Sequence, residues 1–280
     1  MLYDLPGVQI KSPIALASFQ DFSGRRQSDN PVLGLHPVAA LPLAKEPLFT
    51  AHHKEINVAA LEEGWQYSLP QIPSCALRLS KDRREIVTAP MDEPWQQMAM
   101  LPLLRTAIEC ASAMEGVLSL HSACVEMEGQ AVCFTAPSGT GKSTRAMQWV
   151  QTLGATLISG DRPSLRVRSQ SVTACGVPWD GKEQIYRNVR YPLKMICLIS
   201  RGEQVRARRL NPKQARQILM QQVFLPMWDT EAAAAIMTLI CNIIRYVPIV
   251  QLQCGPDSAA AEEAYTLLYH HPERIEEEEL

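Results

Sequence analysis

The 280-residue chain has no C-x-x-C pair and no histidine at the spacing of zinc ligands. Its eight cysteines (Cys75, Cys110, Cys124, Cys133, Cys175, Cys197, Cys241 and Cys254) are scattered, and most lie inside apolar runs. That placement predicts buried, reduced thiols acting as small hydrophobes. Neither sign of charge is in excess. With 27 Lys and Arg against 29 Asp and Glu, the formal net charge is −2, so the whole-molecule field attracts neither nucleic acid nor an anionic membrane. Basic residues are not interleaved with aromatics as they are in single-stranded nucleic-acid binders, and Arg201, Arg206, Arg208 and Arg209 suit an acidic peptide or phosphate but read more readily as a solvated face. Long hydrophobic runs are missing too. The best of them, residues 232–244, falls well short of the roughly 20 residues of a membrane span and contains Cys241 and Asn242, so a buried helix is expected. The start, Met1-Leu2-Tyr3-Asp4-Leu5-Pro6, lacks the basic residues and apolar stretch of a signal peptide. These absences predict a cytoplasmic protein with neither nucleic acid nor membrane as a partner, and no internal repeat is visible.

Residues 1–95 are rich in proline and break into short apolar segments such as 12–19, 55–60 and 75–79, which predicts a β-rich N-terminal domain. His52 and His53, beside Lys54, read as an exposed pair in a loop. A connecting stretch, 96–116, carries a helix that Pro102 opens and Gly116 ends. From 117 to 272 the pattern turns to alternating strands and helices. Residues 117–126 and 131–135 predict a hairpin around Glu128-Gly129, and 155–159, 193–199 and 249–253 predict further strands. Helical periods cover 212–224, 230–246 and 258–269. Residues 273–280, with their glutamate run, read as a solvated acidic tail.

What is present, and specific, is Ala136-Pro137-Ser138-Gly139-Thr140-Gly141-Lys142-Ser143, followed by Thr144. It lies between an apolar run, 130–135, that reads as a buried strand and a helical pattern, 143–153, that closes at Gly154. Strand, glycine-containing loop and helix make a phosphate-binding loop. Successive backbone N–H groups wrap phosphates, the helix adds the positive end of its dipole, Lys142 reaches the β- and γ-phosphates, and the Ser143 hydroxyl ligates Mg²⁺. Ala136 stands where the strict pattern has glycine. The expected ligand is a nucleoside triphosphate.

Three further groups are candidates around that ligand. Asp161 ends the predicted strand 155–159, so its carboxylate is placed to hold a cation or to accept the proton of an attacking hydroxyl. His121 lies on the strand entering the hairpin, where a lone histidine is more often a satisfied core residue than a catalyst. In the loop 176–183 turn formers alternate with Trp179, Asp180, Lys182 and Glu183; Lys182 is a candidate to neutralise a transferring phosphoryl group and Glu183 to serve the metal.

Taken together, His121-Ser122-Ala123, the loop 136–143 and Ser159-Gly160-Asp161-Arg162 resemble the catalytic half of the HPr kinase/phosphorylase family over about residues 115–270. The resemblance implies an α/β fold: a P-loop catalytic domain of the HPr kinase/phosphoenolpyruvate carboxykinase-like type, with a smaller β-rich N-terminal domain. It also implies ATP and Mg²⁺, transfer of the γ-phosphoryl group to a serine-type hydroxyl, an active-site role for His121, and Asp161 as general base and metal partner. Relatives that phosphorylate free serine or lasso-peptide precursors imply a serine-containing peptide or a small hydroxyl compound as acceptor, and relatives that assemble through this domain imply a homo-oligomer. Gly160 stands where the bifunctional members have the first aspartate of an acidic pair, and residues 178–183 replace the family's glycine-rich signature. These departures carry the alternative of a non-catalytic, ATP-sensing, peptide-binding module. The N-terminal half matches no domain of the family, so HPr itself is not the expected substrate.

Overall fold

Two separate runs of strand-forming sequence build two sheets, each with its own core. The computed structural model describes residues 1–24, 28–53, 55–137, 139–179, 185, 187–255 and 257–277. The chain divides into one unit of Met1–Glu115 with Pro226–Ala235 and another of Gly116–Leu225 with Ile236–Leu280.

In the first unit the strands are β1 (Leu2–Asp4), β2 (Gln9–Lys11), β3 (Val32–Pro37), β4 (Phe49–His53), β5 (Ile56–Leu61), β6 (Gly64–Leu69), β7 (Ile72–Ser80) and β8 (Glu85–Thr88). They form one sheet in the order β1-β2-β3-β8-β7-β6-β5-β4. The run β4 to β8 is an antiparallel meander, whereas β3 pairs parallel with both β2 and β8. Strict alternation decides which face is buried: Ile56, Val58 and Ala60 of β5 point inward and their neighbours do not. His52 and His53 close β4, so they belong to a strand and not to a loop.

Helix α1 (Pro94–Ala113) packs against β6 and β7. It starts earlier than expected. Glu93 and Gln96 form a reciprocal capping box in front of Pro94, a stronger start signal than a lone proline. Pro102 therefore falls inside the helix, at an expected cost of about 3 kcal/mol. Burial of Met100, Leu103, Leu104, Ala107 and Ile108, within a helix buried at every position from Thr106 to Ala113, offsets that cost.

The segment Pro226–Ala235 joins this unit through charge. Arg83 donates through Nη2 and Nε to the Asp229 carboxylate at 2.6 and 3.2 Å, and both side chains are buried. Asp229 also accepts from the Ala232 N–H in the first turn of α4 (Thr230–Tyr246). A second carboxylate, Glu231, sits 3.0 Å from Arg83 but is 67% exposed.

The second unit contains β9 (Val117–Ser119), β10 (Ser122–Met127), β11 (Gln130–Thr135), α2 (Lys142–Leu153), β12 (Thr156–Ser159), β13 (Ser164–Arg168), β14 (Ser171–Cys175) and β15 (Arg190–Arg201). After these come β16 (Arg206–Arg209), α3 (Pro212–Gln222), the remainder of α4, β17 (Ile249–Cys254), α5 (Ser258–Tyr265) and β18 (Glu276–Glu277). The strand expected over 117–126 is broken in two at Leu120-His121. β10 and β11 are a hairpin whose turn residues, Glu128 and Gly129, both have positive φ, the geometry that follows the natural twist of paired strands. β11, β15 and β17 run parallel, and β12 lies antiparallel to β10 on the other side. β13 and β14 were not foreseen, because their arginines and serines dilute the apolar alternation. Helix α5 stops at Tyr265 and gives way to a wider turn over Thr266–His270. Residues Glu276–Glu277, expected as a loose tail, pair with Arg208–Arg209 of β16, and Glu277 faces Arg209 at 3.4 Å.

Trp149 of α2 holds this core together. Fully buried, it meets Phe134 of β11 edge-to-face at 5.1 Å, and Tyr265 and Tyr269 at 6.0 and 6.1 Å. Most of the cysteines are buried as expected, and Cys241 on α4 is exposed. No helix among the described residues is long and apolar enough to cross a membrane.

Two stability outcomes follow. Trp149→Ala is expected to cost about 3–5 kcal/mol in urea unfolding, the cost of emptying a large buried site. Asp229→Ala is expected to cost about 3–5 kcal/mol because it removes the buried carboxylate and leaves the Arg83 guanidinium with only the exposed Glu231 as charge partner, while Glu231→Ala, on the exposed arm of the same cluster, costs less than about 1 kcal/mol.

Candidate functional site

β11 ends at Thr135, and α2 begins at Lys142. Gly139 (φ 78°) and Gly141 (φ 106°) adopt backbone conformations that side chains disfavour. A Cβ at Gly139 would meet nothing within 4 Å, so conformation and not crowding requires glycine there. Gly141 is the N-cap of α2 and has no side chain to occupy the first amides, which leaves the helix N-terminus open to an anion. Lys142 is buried, and its Nζ donates to the Ala136 carbonyl at 3.1 Å. Burial lowers the Lys142 pKa, and the charge of Asp161 opposes that shift, so the two groups share one electrostatic environment. The Ser143 hydroxyl donates to the Gly160 carbonyl at 3.4 Å, which brings the start of α2 against the residue preceding Asp161.

Sheet polarity assembles the rest. Because β10 runs antiparallel to β11, its first residues lie beside the last residues of β11, with Ser122 opposite Thr135. His121 is thus delivered to the loop end of β11. Its backbone is held on both sides: the N–H donates to the Gln222 carbonyl at 2.7 Å, and Thr135 Oγ1 donates to its carbonyl at 2.9 Å. β12, antiparallel to β10, finishes at the same edge with Ser159, and Asp161 follows. His121 Nε2 lies 3.8 Å from Asp161 Oδ1, with the two side chains 31% and 35% exposed. Next to Asp161, Arg162 has a left-handed backbone (φ 56°) although it is not glycine, and its N–H donates to the Ser122 carbonyl at 3.2 Å. Strain of this kind, held by surrounding hydrogen bonds, recurs where a side chain must point in one direction. The Ser159 hydroxyl donates to the Asp161 carbonyl at 2.9 Å and pins the same turn.

Of the residues expected at the site, Ala136, Pro137, Gly139, Thr140, Gly141, Lys142, Ser143, Thr144, His121 and Asp161 fall at this one sheet edge. Ser138, Lys182 and Glu183 lie outside the described residues, as does Asp180, and Trp179 beside them is buried. The Ser143 hydroxyl and the Asp161 carboxylate are hard oxygen donors. Mg²⁺ suits such a pair, since it takes one or two protein oxygens and completes its shell with phosphate and water. Thr135 and Gln222, which fix the His121 backbone, carried no sequence signal that identified them. Arg145 was also missed. Its position one helical turn after Lys142 was the available clue, because residues three apart on a helix are neighbours.

No family model matches the chain, and no curated protein matches it in sequence. Among solved structures, the Hpr(Ser) kinase/phosphatase from Coxiella burnetii is similar, with a TM-score of 0.33 and 9% identity, over 55% of this chain and 97% of that one. At that level the likeness carries no argument about substrate or reaction.

Proposed function

We propose that the protein is an ATP-dependent phosphotransferase that moves the γ-phosphoryl group to a serine-type hydroxyl on a peptide or short protein segment. The observation that supports this reading is the meeting of Lys142, Ser143, Asp161 and His121 at the loop end of β11. Phosphoryl transfer asks little covalent chemistry of a protein and depends on positioning and charge neutralisation. The amides of the loop and of the first turn of α2 hold the triphosphate, and Lys142 neutralises charge on its β- and γ-phosphates. Ser143 and Asp161 would hold Mg²⁺, which supplies further charge neutralisation on the phosphates. Asp161 accepts the proton of the attacking hydroxyl, while His121, beside it, orients the acceptor or the γ-phosphate. Lys182 and Glu183 are proposed to add a cation and a metal ligand from the neighbouring loop.

³¹P NMR with Mg-ATP, run in parallel with free serine and with a pool of serine-containing peptides, tests this reading. A new phosphomonoester signal is expected in the peptide arm. The signal in the serine arm alone would move the acceptor to a small metabolite, and ATP that binds but stays intact would favour the non-catalytic sensing module that Gly160 also suits. Lys142→Ala is expected to abolish turnover and weaken nucleotide binding. Asp161→Asn is expected to lower turnover by about 10²–10⁴-fold while nucleotide binding measured by calorimetry is largely kept, the usual effect of losing a general base. Near-parental turnover in the Asp161→Asn protein would remove Asp161 from that role.

A further inference from the structure

On the side of the phosphate-type loop away from Asp161 lies an open cleft of about 660 Å³. Its walls come from the loop and first turns of α2 and from the C-terminal ends of β15 and β17, which run parallel to β11. In parallel sheets, ligands settle outside these carboxyl ends. Three kinds of surface meet there. Ile199 and Cys254 present apolar area, Gln148 of α2 with Ser200 and Glu203 of the opposite wall present polar groups, and Arg145 forms part of the floor.

Arg145 is the unusual member. Only 5% of it is exposed, and its Nη2 donates to the Gly255 carbonyl. Among the described residues its Nε and Nη1 have no hydrogen-bond partner, and the guanidinium also lies beside the Cys254 thiol, where it opposes the rise in pKa that burial causes. A buried guanidinium with unfilled donors is costly unless an anion comes close, because desolvation penalises the bare charge. One helical turn back, Lys142 already serves the phosphate end of the loop, so Arg145 extends the positive lining from the loop into the cleft.

We infer that this cleft takes the nucleoside end of the bound nucleotide: the base and sugar lie between Ile199, Cys254 and Gln148, Glu203 meets the sugar hydroxyls, and Arg145 faces the phosphate nearest the sugar. This inference rests on the nucleotide reading above and adds the direction of the ligand. The triphosphate crosses the end of β11, with its nucleoside on the β15–β17 side and its γ-phosphate on the β12 side, beside Asp161 and His121. The cleft volume is within the range of roughly 300–1,000 Å³ that small-molecule sites occupy.

Calorimetric titration with Mg-ATP and, separately, with magnesium tripolyphosphate distinguishes the two readings, because tripolyphosphate carries the phosphates without the nucleoside. The parent protein is expected to bind both, ATP at least tenfold more tightly. Gln148→Trp, which fills the cleft from a half-buried position, is expected to weaken ATP at least tenfold and to leave tripolyphosphate within twofold. Glu203→Ala is expected to weaken ATP several-fold, again without effect on tripolyphosphate. Arg145→Met is expected to weaken both ligands, because both carry phosphate for it to face, and the Gln148 and Glu203 variants carry the test if that buried change lowers folding stability. Equal affinity of the parent for ATP and tripolyphosphate, or equal losses for both ligands in Gln148→Trp with an unchanged melting temperature, would overturn the cleft assignment and leave the phosphate loop standing. A parent that binds neither ligand would overturn both.

Discussion

The candidate site depends first on the packing of α2 against the sheet. A phosphate-binding loop works only if the strand before it and the helix after it keep a fixed separation, since the loop's amides are aimed by both. Trp149 sets that separation. Its ring lies against Phe134 of β11 on one side and against Tyr265 and Tyr269 on the other, so one buried indole ties strand, helix and C-terminal segment together. The close-packed core around it, including Ala136, Ala146 and Val132, leaves little room for the helix to slide. Tyr269 is tied in turn by a hydrogen bond from its hydroxyl to the Met127 carbonyl at 3.2 Å and by Lys194 over its ring at 4.4 Å.

Strand direction then distributes the chemistry. β11, β12, β15 and β17 all end at one edge of the sheet, and the antiparallel β10 begins there. Side chains from distant parts of the chain reach that edge at the ends of their strands. The two buried cations of α2 show how the site is poised. Lys142 has the Ala136 carbonyl and the charge of Asp161 nearby, whereas two donor nitrogens of Arg145 find no partner among the described residues. Arg83 in the other unit is the contrasting case. There a buried guanidinium is closed off by a two-pronged carboxylate partner, and its work is to fasten Pro226–Ala235 to the first unit.

The passage from β11 into α2 was legible because its pattern is local. Glycine at φ values that other residues disfavour, an apolar strand before it and a helical period after it all act over neighbours in sequence, and the structure has β11 and α2 where the pattern put them. The β10–β11 hairpin was legible for the same reason, through Glu128-Gly129. The start of α1 was misread because Pro102 is a conspicuous residue, while the capping box at Glu93 and Gln96 is a quieter but stronger signal. β13 and β14 escaped because pairing on both sides stabilises strands whose own composition is indifferent.

What the sequence by itself determined, then, is the short-range part: two regions of different element pattern, the loop that joins β11 to α2, and the apolar setting of most of the cysteines. Only the tertiary structure decided that His121 and Asp161 stand 3.8 Å apart, that Pro226–Ala235 returns to the first unit, and that Arg145 lies in the floor of a cleft. The physical reason is range. Backbone conformation and capping are settled within a few residues. The meeting of His121 with Asp161, or of Arg83 with Asp229, depends instead on strand order, register and burial, which no local pattern encodes.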